Sequence, residues 1–329
     1  MNICFATDDK YAKPTAIAMM TVMLTNKDEE IHFYILSQSL LDENKRTLEN
    51  TVKKYSSKSK VEFCFLTNDI LSQFFSTLKK SDHVSLATYF RIYIPSLLPK
   101  NVDKILYLDG DIICAENFSS FYKSDLTEYS MAASHDTRTS DPENFERLQY
   151  PNKNGYAAAG VLLINVAWWR KNNIQQKCLD FISENKAICK WHDQDALNKV
   201  LNGTIKFCPI KYNAYELIFE GENKYPDFLL DEVTEAQKNP VFIHFCSGRK
   251  PWNKESRCPF SSTWLKLYKQ LFEKNCHLTH RYKGKIKILW NIKRIINMLR
   301  IKKYEEFNPH HEHDALKLKI EKQLMEKKI

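Results

Sequence analysis

Three short apolar runs near the start of the chain constrain its fold more than any other feature. NICFAT (2–7), IHFYIL (31–36) and VEFCFL (61–66) each have the length and the β-branched or aromatic content of a buried strand. The stretches between them, 15–24 and 40–54, carry apolar residues at helical spacing. Strand, helix, strand, helix, strand in so short a span predicts an α/β fold with a mainly parallel sheet. Ligands of such sheets gather outside the carboxyl ends of the strands.

The pattern continues downstream. In SLATYFRIYI (85–94), Leu86, Tyr89, Phe90 and Tyr93 share one helical face, and Pro95 is expected to end the helix. KILYLDGDIIC (104–114) reads as a fourth strand with Asp109 and Asp111 at its carboxyl end. AAAGVLLINVAWWR (157–170) reads as a strand leading into a helix, and WHDQDALNKVL (191–201) as a helix start. PVFIHFCSGRKPW (240–252) reads as a further strand, broken at Ser247-Gly248.

Glycine is scarce, with seven in 329 residues, and neither G-x-G-x-x-G nor G-x-x-x-x-G-K-[ST] occurs. A bound nucleotide would therefore need a metal or basic side chains for its phosphates. The nine cysteines form no C-x-x-C, so free thiols in a reducing compartment are expected rather than a zinc cluster or disulfide framework. Lys and Arg number 49 against 40 acidic residues, a net charge of +9 that points to an acidic partner. The start, MNICFATDDKY, has no basic stretch before an apolar core, and no apolar run approaches 18 residues. Neither a signal peptide nor a spanning helix is expected.

Two carboxylates one residue apart between apolar flanks, as in Asp109-Gly110-Asp111, are costly unless a cation lies between them. A hard divalent ion bridging a diphosphate would satisfy the pair; so would the solvent around an ordinary Asp-Gly turn. His244, ending VFIH, is either a core histidine or an imidazole suited, with carboxylates, to Mn²⁺ or a similar first-row ion. Lys250 beside Pro251-Trp252 is a cation available to phosphate. Asp193-Gln194-Asp195 either meets sugar hydroxyls and an anomeric carbon, or places acids at a helix N-terminus. Asp8-Asp9 either contacts a base or ribose, or caps the next helix. Arg91 and Asp136 remain open between substrate contact and internal pairing. His310, His311 and His313 read as solvated surface.

Taken together, these segments resemble glycosyltransferase family 8, and within it bacterial lipopolysaccharide α-galactosyl- and glucosyltransferases. FATDDKY, LATYFRIYIPSLLP, VDKILYLDGDII, AAGVLLINVAWWR, HDQDALN and IHFCSGRKPW match six blocks of the family in order, over residues 1–265. The resemblance implies a GT-A fold, retention of anomeric configuration, and a UDP-sugar donor. UDP-galactose and UDP-glucose are the foremost donors, and an N-acetyl sugar is a further candidate. It also implies Mn²⁺, or another divalent cation, held by Asp109, Asp111 and His244. Asp8, with Ala6 and Asp9, would lie on the uridine side. Arg91, Asp136, Asp193 and Gln194 would surround the donor sugar, with Gln194 nearest the reacting face. Gly248 and Lys250 would meet the diphosphate, and Asp109, Gly110, Ala158, Ala159 and Gly160 complete the substrate-binding set. Three positions depart from the family pattern: Ala158 replaces an amide-bearing Asn, Ser247 replaces Gly, and Lys10 replaces an Asn often found there. The loss of the amide at Ala158 predicts a donor preference different from that of relatives.

The composition changes beyond residue 265. KGKIKILWNIKRIINMLRIKK (283–303) holds eight Lys or Arg and no acid, with Ile288, Leu289, Ile292, Ile295, Ile296 and Leu299 on one helical face. That is the pattern of a helix lying on an anionic membrane surface. The expected organisation is a catalytic domain over 1–265 and a basic, amphipathic helical tail over 266–329, its last helix mostly solvated. The expected location is the cytoplasm, peripheral on the inner face of the membrane. The expected acceptor is a cell-surface glycan, with a lipopolysaccharide core foremost. A nucleotide-sugar-binding protein without turnover, and a transferase acting on a glycoprotein or other surface glycan, are the alternatives. A haloacid-dehalogenase-type phosphatase would want its Asp pair early in the chain. Nucleic acid is not expected as a partner, because Trp290 is the one aromatic in the basic stretch.

Overall fold

In the computed structural model, which describes residues 1–67, 70, 86–221, 224–256, 258–302 and 313–325, alternate side chains of the first strands divide between two cores. β1 (Asn2–Ala6) sends Ile3 and Phe5 to one face and Cys4 and Ala6 to the other. β2 (His32–Ser37) does the same with Phe33 and Ile35 against Tyr34 and Leu36. Between them α1 (Ala12–Thr25), apolar on all sides, is buried along its whole length. α2 (Asp42–Tyr55) buries only Leu48, Thr51, Val52, Tyr55 and Asn44, and its terminal charges complement the helix dipole.

β3 (Lys60–Phe65) pairs parallel to β2, and β4 (Lys104–Leu108) parallel to β1. With β6 (Met131–Ser134), β7 (Val161–Asn165) and β8 (Ile205–Cys208) they form a seven-stranded sheet, order β3-β2-β1-β4-β7-β6-β8. Only β7 runs against its neighbours, so the mainly parallel sheet read from the sequence is present. The predicted fourth strand is in fact two. β5 (Ile112–Cys114) leaves the large sheet and pairs antiparallel with β10 (Phe242–His244), whose other edge carries β9 (Ala214–Tyr215). The Asp-Gly-Asp turn is where the chain crosses between sheets.

Helices cover the second face. Residues Leu86–Tyr93 form a 3₁₀ helix, and the chain continues through Pro95 into α3 (Ile94–Leu97). Pro95 does not end the helix as expected; it occupies the first turn, where its missing N–H has no partner to lose. α4 (Pro142–Leu148), α5 (Val166–Lys171), α6 (Ile174–Glu184) and α7 (His192–Leu201) follow, and α7 carries Asp193 and Asp195 in its first turn. α8 (Leu230–Lys238) and α9 (Ser261–Phe272) pack on the core of α1.

α10 (Gly284–Met298) buries no residue, and Ile286, Ile288, Leu289, Ile292, Ile295 and Met298 are exposed. α11 (Asp314–Met325) lies mostly at the surface, as expected, yet Ile320 and Leu324 are buried in the main core and Glu321 accepts hydrogen bonds from Thr263 and Lys266 of α9. Ser85, His310 and His311 lie outside the described residues. Among the described residues no helix is long and apolar enough to cross a membrane.

Candidate active site

The two sheets deliver three ligand-type side chains to one point. Asp109 N–H bonds Gly160 C=O at 2.9 Å, one rung beyond the β4–β7 ladder, and Phe245 N–H bonds Asp111 C=O at 3.1 Å, one rung beyond β5–β10. His244, ending β10, therefore faces both carboxylates. Its Nε2 lies 3.3 Å from Asp111 Oδ1 and 3.6 Å from Asp109 Oδ2. Cation–ligand bonds of about 2.1 Å put neighbouring donor atoms roughly 3–3.5 Å apart, so this trio fits a divalent ion. Gly160 makes the same point, since a Cβ there would fall 2.2 Å from His244 Cε1 and 3.1 Å from Asp109 Oδ2. The backbone closes over the trio only because no side chain intervenes.

Each of the three ligands has its outward atom secured. Asp109 Oδ1 accepts from Tyr107 OH at 2.8 Å and pairs with Arg91 Nη2 at 3.1 Å. Asp111 Oδ2 accepts from Lys250 Nζ at 2.6 Å, and the same ammonium donates to Phe245 C=O. His244 Nδ1 meets Asn213 Oδ1 at 2.9 Å. Burial alone would raise the Asp111 pKa; Lys250 and His244 outweigh it and hold the carboxyl well below the ordinary range. Arg91 is buried as well, yet Asp109 and Asp193 keep it charged. Arg91 Nε lies 2.9 Å from Asp193 Oδ2 but also donates to Thr88 C=O. Asp193 is thus poorly compensated, and burial pushes its pKa up to about 7 against the pull of Arg91.

Two cavities meet at this trio. One, about 330 Å³, is lined by Ala6, Asp8, Tyr11, Gly110 and Lys250 among others. The second, about 320 Å³, is lined by Asp136, Arg138, Gly160, Trp191, Gln194 and Tyr215 among others. Thr88, Arg91, Asp109, Asp111 and Cys246 border both and form the wall between them. In the second cavity the Gln194 amide is fixed at both ends: Oε1 accepts from Ala159 N–H at 2.9 Å, and Nε2 donates to Asp136 Oδ2 at 3.3 Å. Asp136 also accepts from Tyr215 OH at 2.8 Å and Arg138 Nη1 at 2.7 Å.

The sequence-predicted residues fall into groups. Ala6, Asp8, Arg91, Asp109, Gly110, Asp111, Asp136, Ala159, Gly160, Asp193, Gln194, His244 and Lys250 all border one cavity or the other. Asp9 lines neither: its Oδ1 accepts from Leu41 N–H and Asn44 Nδ2, both at 2.8 Å, at the start of α2. Ala158 is fully buried, its N–H bonded to Ser134 C=O at 2.9 Å. Gly248 packs against the Arg281 guanidinium. Asp195 is internal, held by Arg147, Tyr156 OH and Trp191 N–H. Sequence reasoning missed Tyr107, which it spent on the strand core, and Tyr11, Arg138, Trp191, Asn213 and Tyr215. For Tyr11, Arg138 and Trp191 the one signal was adjacency to motif residues; for Asn213 and Tyr215 there was none.

A carboxylate–imidazole trio at strand ends, where two cavities meet, is a site of an α/β fold that could hold a divalent cation. The family model for glycosyl transferase family 8 matches residues 2–256, and the chain belongs to that family. It is 31% identical over 272 residues to General stress protein A of Bacillus subtilis, covering 80% of this chain and 92% of that protein. It is 27% identical to a lipopolysaccharide 1,2-glucosyltransferase of Escherichia coli, covering 77% and 73%. Among solved structures, the galactosyltransferase LgtC in complex with donor and acceptor sugar analogs superposes with a TM-score of 0.73 at 23% identity, covering 82% of this chain and 96% of that one. The fold is accordingly GT-A.

Proposed function

We propose that the chain is a divalent-metal-dependent, retaining glycosyltransferase that moves a hexose from a UDP-sugar to a surface glycan, with a lipopolysaccharide core as acceptor. The observation that carries this is the position of Asp109 and Asp111 in the wall shared by the two cavities, with His244 facing both carboxylates from the lining of the second. A donor lying across that wall puts its nucleoside against Ala6, Asp8 and Tyr11, its diphosphate at the trio and its sugar against Asp136, Asp193 and Gln194. Mn²⁺, or a similar ion held by the trio, would neutralise the diphosphate as it leaves. Lys250 has two of its three N–H donors committed to Asp111 and Phe245, which leaves the third for a phosphate oxygen. The bond from the anomeric carbon to the phosphate oxygen breaks as the acceptor hydroxyl bonds the same face, and the hydroxyl proton passes to the departing phosphate. The fixed Gln194 amide borders that face. The names of relatives, a lipopolysaccharide 1,2-glucosyltransferase and a lipopolysaccharide 1,3-galactosyltransferase of Salmonella typhimurium, support the acceptor class.

α10 supplies the membrane contact in this reading. Eight Lys or Arg in 283–303, at about 1 kcal/mol each near an anionic leaflet and less in salt, add to burial of its exposed isoleucines. The protein would then work on the cytoplasmic face, beside a lipid-linked acceptor. The test is UDP release from a panel of UDP-sugars with Mn²⁺ or with chelator. Release from at least one donor, abolished by EDTA and by Asp111→Ala, is expected. No metal-dependent release from any donor would favour a nucleotide-sugar-binding protein instead.

A further inference from the structure

The trio needs His244 to offer a lone pair on Nε2, and nothing in an imidazole ensures that. A neutral ring carries its proton on either nitrogen, and the neighbour of the other nitrogen decides which. That neighbour here is Asn213, which ends the 3₁₀ turn Ile210–Asn213 directly before β9. The parallel β9–β10 register sets Tyr215 opposite His244, so Asn213 arrives beside the ring by sheet geometry. It is 1% exposed, and its Oδ1 lies 2.9 Å from His244 Nδ1. Its Nδ2 has no hydrogen-bond partner among the described residues. Leaving a buried amide N–H unpaired costs about 1–3 kcal/mol, so packing alone gives no reason for an amide at this position. The carbonyl half is what the position uses: an acceptor at Nδ1 requires Nδ1–H and leaves the Nε2 lone pair aimed between Asp109 and Asp111. The edge of Tyr215, with ring centroids 5.5 Å apart, and the bare backbone of Gly160 confine the ring on its other sides.

We propose that Asn213 is a positioning residue that fixes the tautomer and orientation of His244, and thereby the affinity of the trio for a divalent cation. The role toward the cation rests on the metal-dependent reading above; the role toward the tautomer does not. The experiment uses full-length protein labelled with ¹⁵N-histidine, stripped of metal at pH 8, where an ordinary imidazole is neutral. Nitrogen shifts report the tautomer, and the His244 signals are assigned by their loss in His244→Gln. Mn²⁺ alone is then titrated, with binding read by its paramagnetic resonance. Wild type is expected to show Nδ1–H. Asn213→Leu is expected to shift His244 toward Nε2–H and weaken Mn²⁺ binding by about 10–100-fold. Asn213→Asp, an acceptor without the unpaired NH₂, should keep Nδ1–H and bind Mn²⁺ at least as well as wild type. Asn213→Leu that retains both tautomer and affinity overturns the proposal. So does Asn213→Asp that loses tenfold or more, which keeps the test decisive should the leucine variant not fold. A tautomer that follows residue 213 across the variants, together with wild type that binds no Mn²⁺, would refute metal dependence while supporting the assignment of the tautomer to Asn213.

Discussion

Gly160→Ala tests the geometry of the trio with a single methyl group. Gly160 does not adopt a left-handed backbone, so alanine is tolerated locally and the effect is one of space. The new Cβ would lie 2.2 Å from His244 Cε1 and 2.6 Å from Nδ1, whereas ordinary contact begins at 3.4 Å. The ring must therefore retreat by about 1.2 Å, with Asn213 and Tyr215 behind it. Metal ligands tolerate roughly ±0.2 Å, and a 1 Å misplacement at a reacting centre costs about 10²-fold. Mn²⁺ affinity and kcat/KM for UDP release are each expected to fall about a hundredfold. Overpacking adds about 1–3 kcal/mol of destabilisation, a Tm lowered by about 2–6 °C. Calorimetric titration with Mn²⁺, donor turnover and a thermal melt check this together. An alanine variant with wild-type Mn²⁺ affinity, turnover and Tm would refute the placement of Gly160 against His244.

Asp193→Asn should change how stability responds to pH. With its folded pKa up at about 7 against an ordinary 3.8, Asp193 contributes stability in full below pH 3.8 and loses it as pH rises through 7. The shift corresponds to at most about 4 kcal/mol. Denaturant melts in EDTA at pH 5 and pH 8 should show the variant gaining on wild type at the higher pH; a gap that does not move sinks the argument. Trp191 is 40% exposed at the mouth of the second cavity, with the Arg138 guanidinium 3.6 Å from its ring centre on one side. Trp191→Ala should raise the acceptor KM about fivefold, more than the donor KM, by removing a stacking face worth about 1 kcal/mol. Equal changes in both would count against an acceptor platform. For α10, Ile288→Ser with Ile292→Ser should cut sedimentation with anionic vesicles at least tenfold without lowering Tm, since each buried isoleucine contributes about 1.5–3 kcal/mol. Unchanged sedimentation would dismiss the membrane contact. Deleting the whole tail is the poorer test, because it would also strip Ile320 and Leu324 from the core.

What the sequence reveals here follows from how local the determining forces are. Side-chain alternation and helical spacing are local, so β1 to β3 and α1 to α2 are legible to within a few residues. Asp109 and Asp111 were visible as a chemical oddity, and His244 as a residue type that would suit them. Their convergence depends on β5 crossing to pair with β10, 130 residues later, which no local pattern encodes. Asp8 and Asp9 are equivalent as letters; only the packing of α2 against the first loop shows that Asp9 is committed to Leu41 and Asn44. Pro95 misled because a proline that ends one helix is also a good start for another. The docking of the last helix was not legible because two buried side chains in twelve residues leave a weak periodic signal.

The spacing of the two aspartates follows from the change of sheet. Asp109 occupies the last rung of the large sheet and Asp111 the first rung of the small one, so Gly110 is the whole connection. Gly110 also lies against α1, where a Cβ would come within 2.6 Å of Thr15 Oγ1. A longer connection would let the sheets separate, and a one-residue slip would turn either carboxylate to the opposite face. Two acids held this close, with Asp193 as a third, would destabilise the fold if left alone. Arg91 and Lys250 offset them: Arg91 is buried between Asp109 and Asp193, and Lys250, half-buried, pairs with Asp111. With Asp193 ionised these five groups carry one negative charge in excess, and with it protonated they balance. The oxygens Asp109 Oδ2 and Asp111 Oδ1 face His244 Nε2, where a divalent cation would meet all three ligands at once.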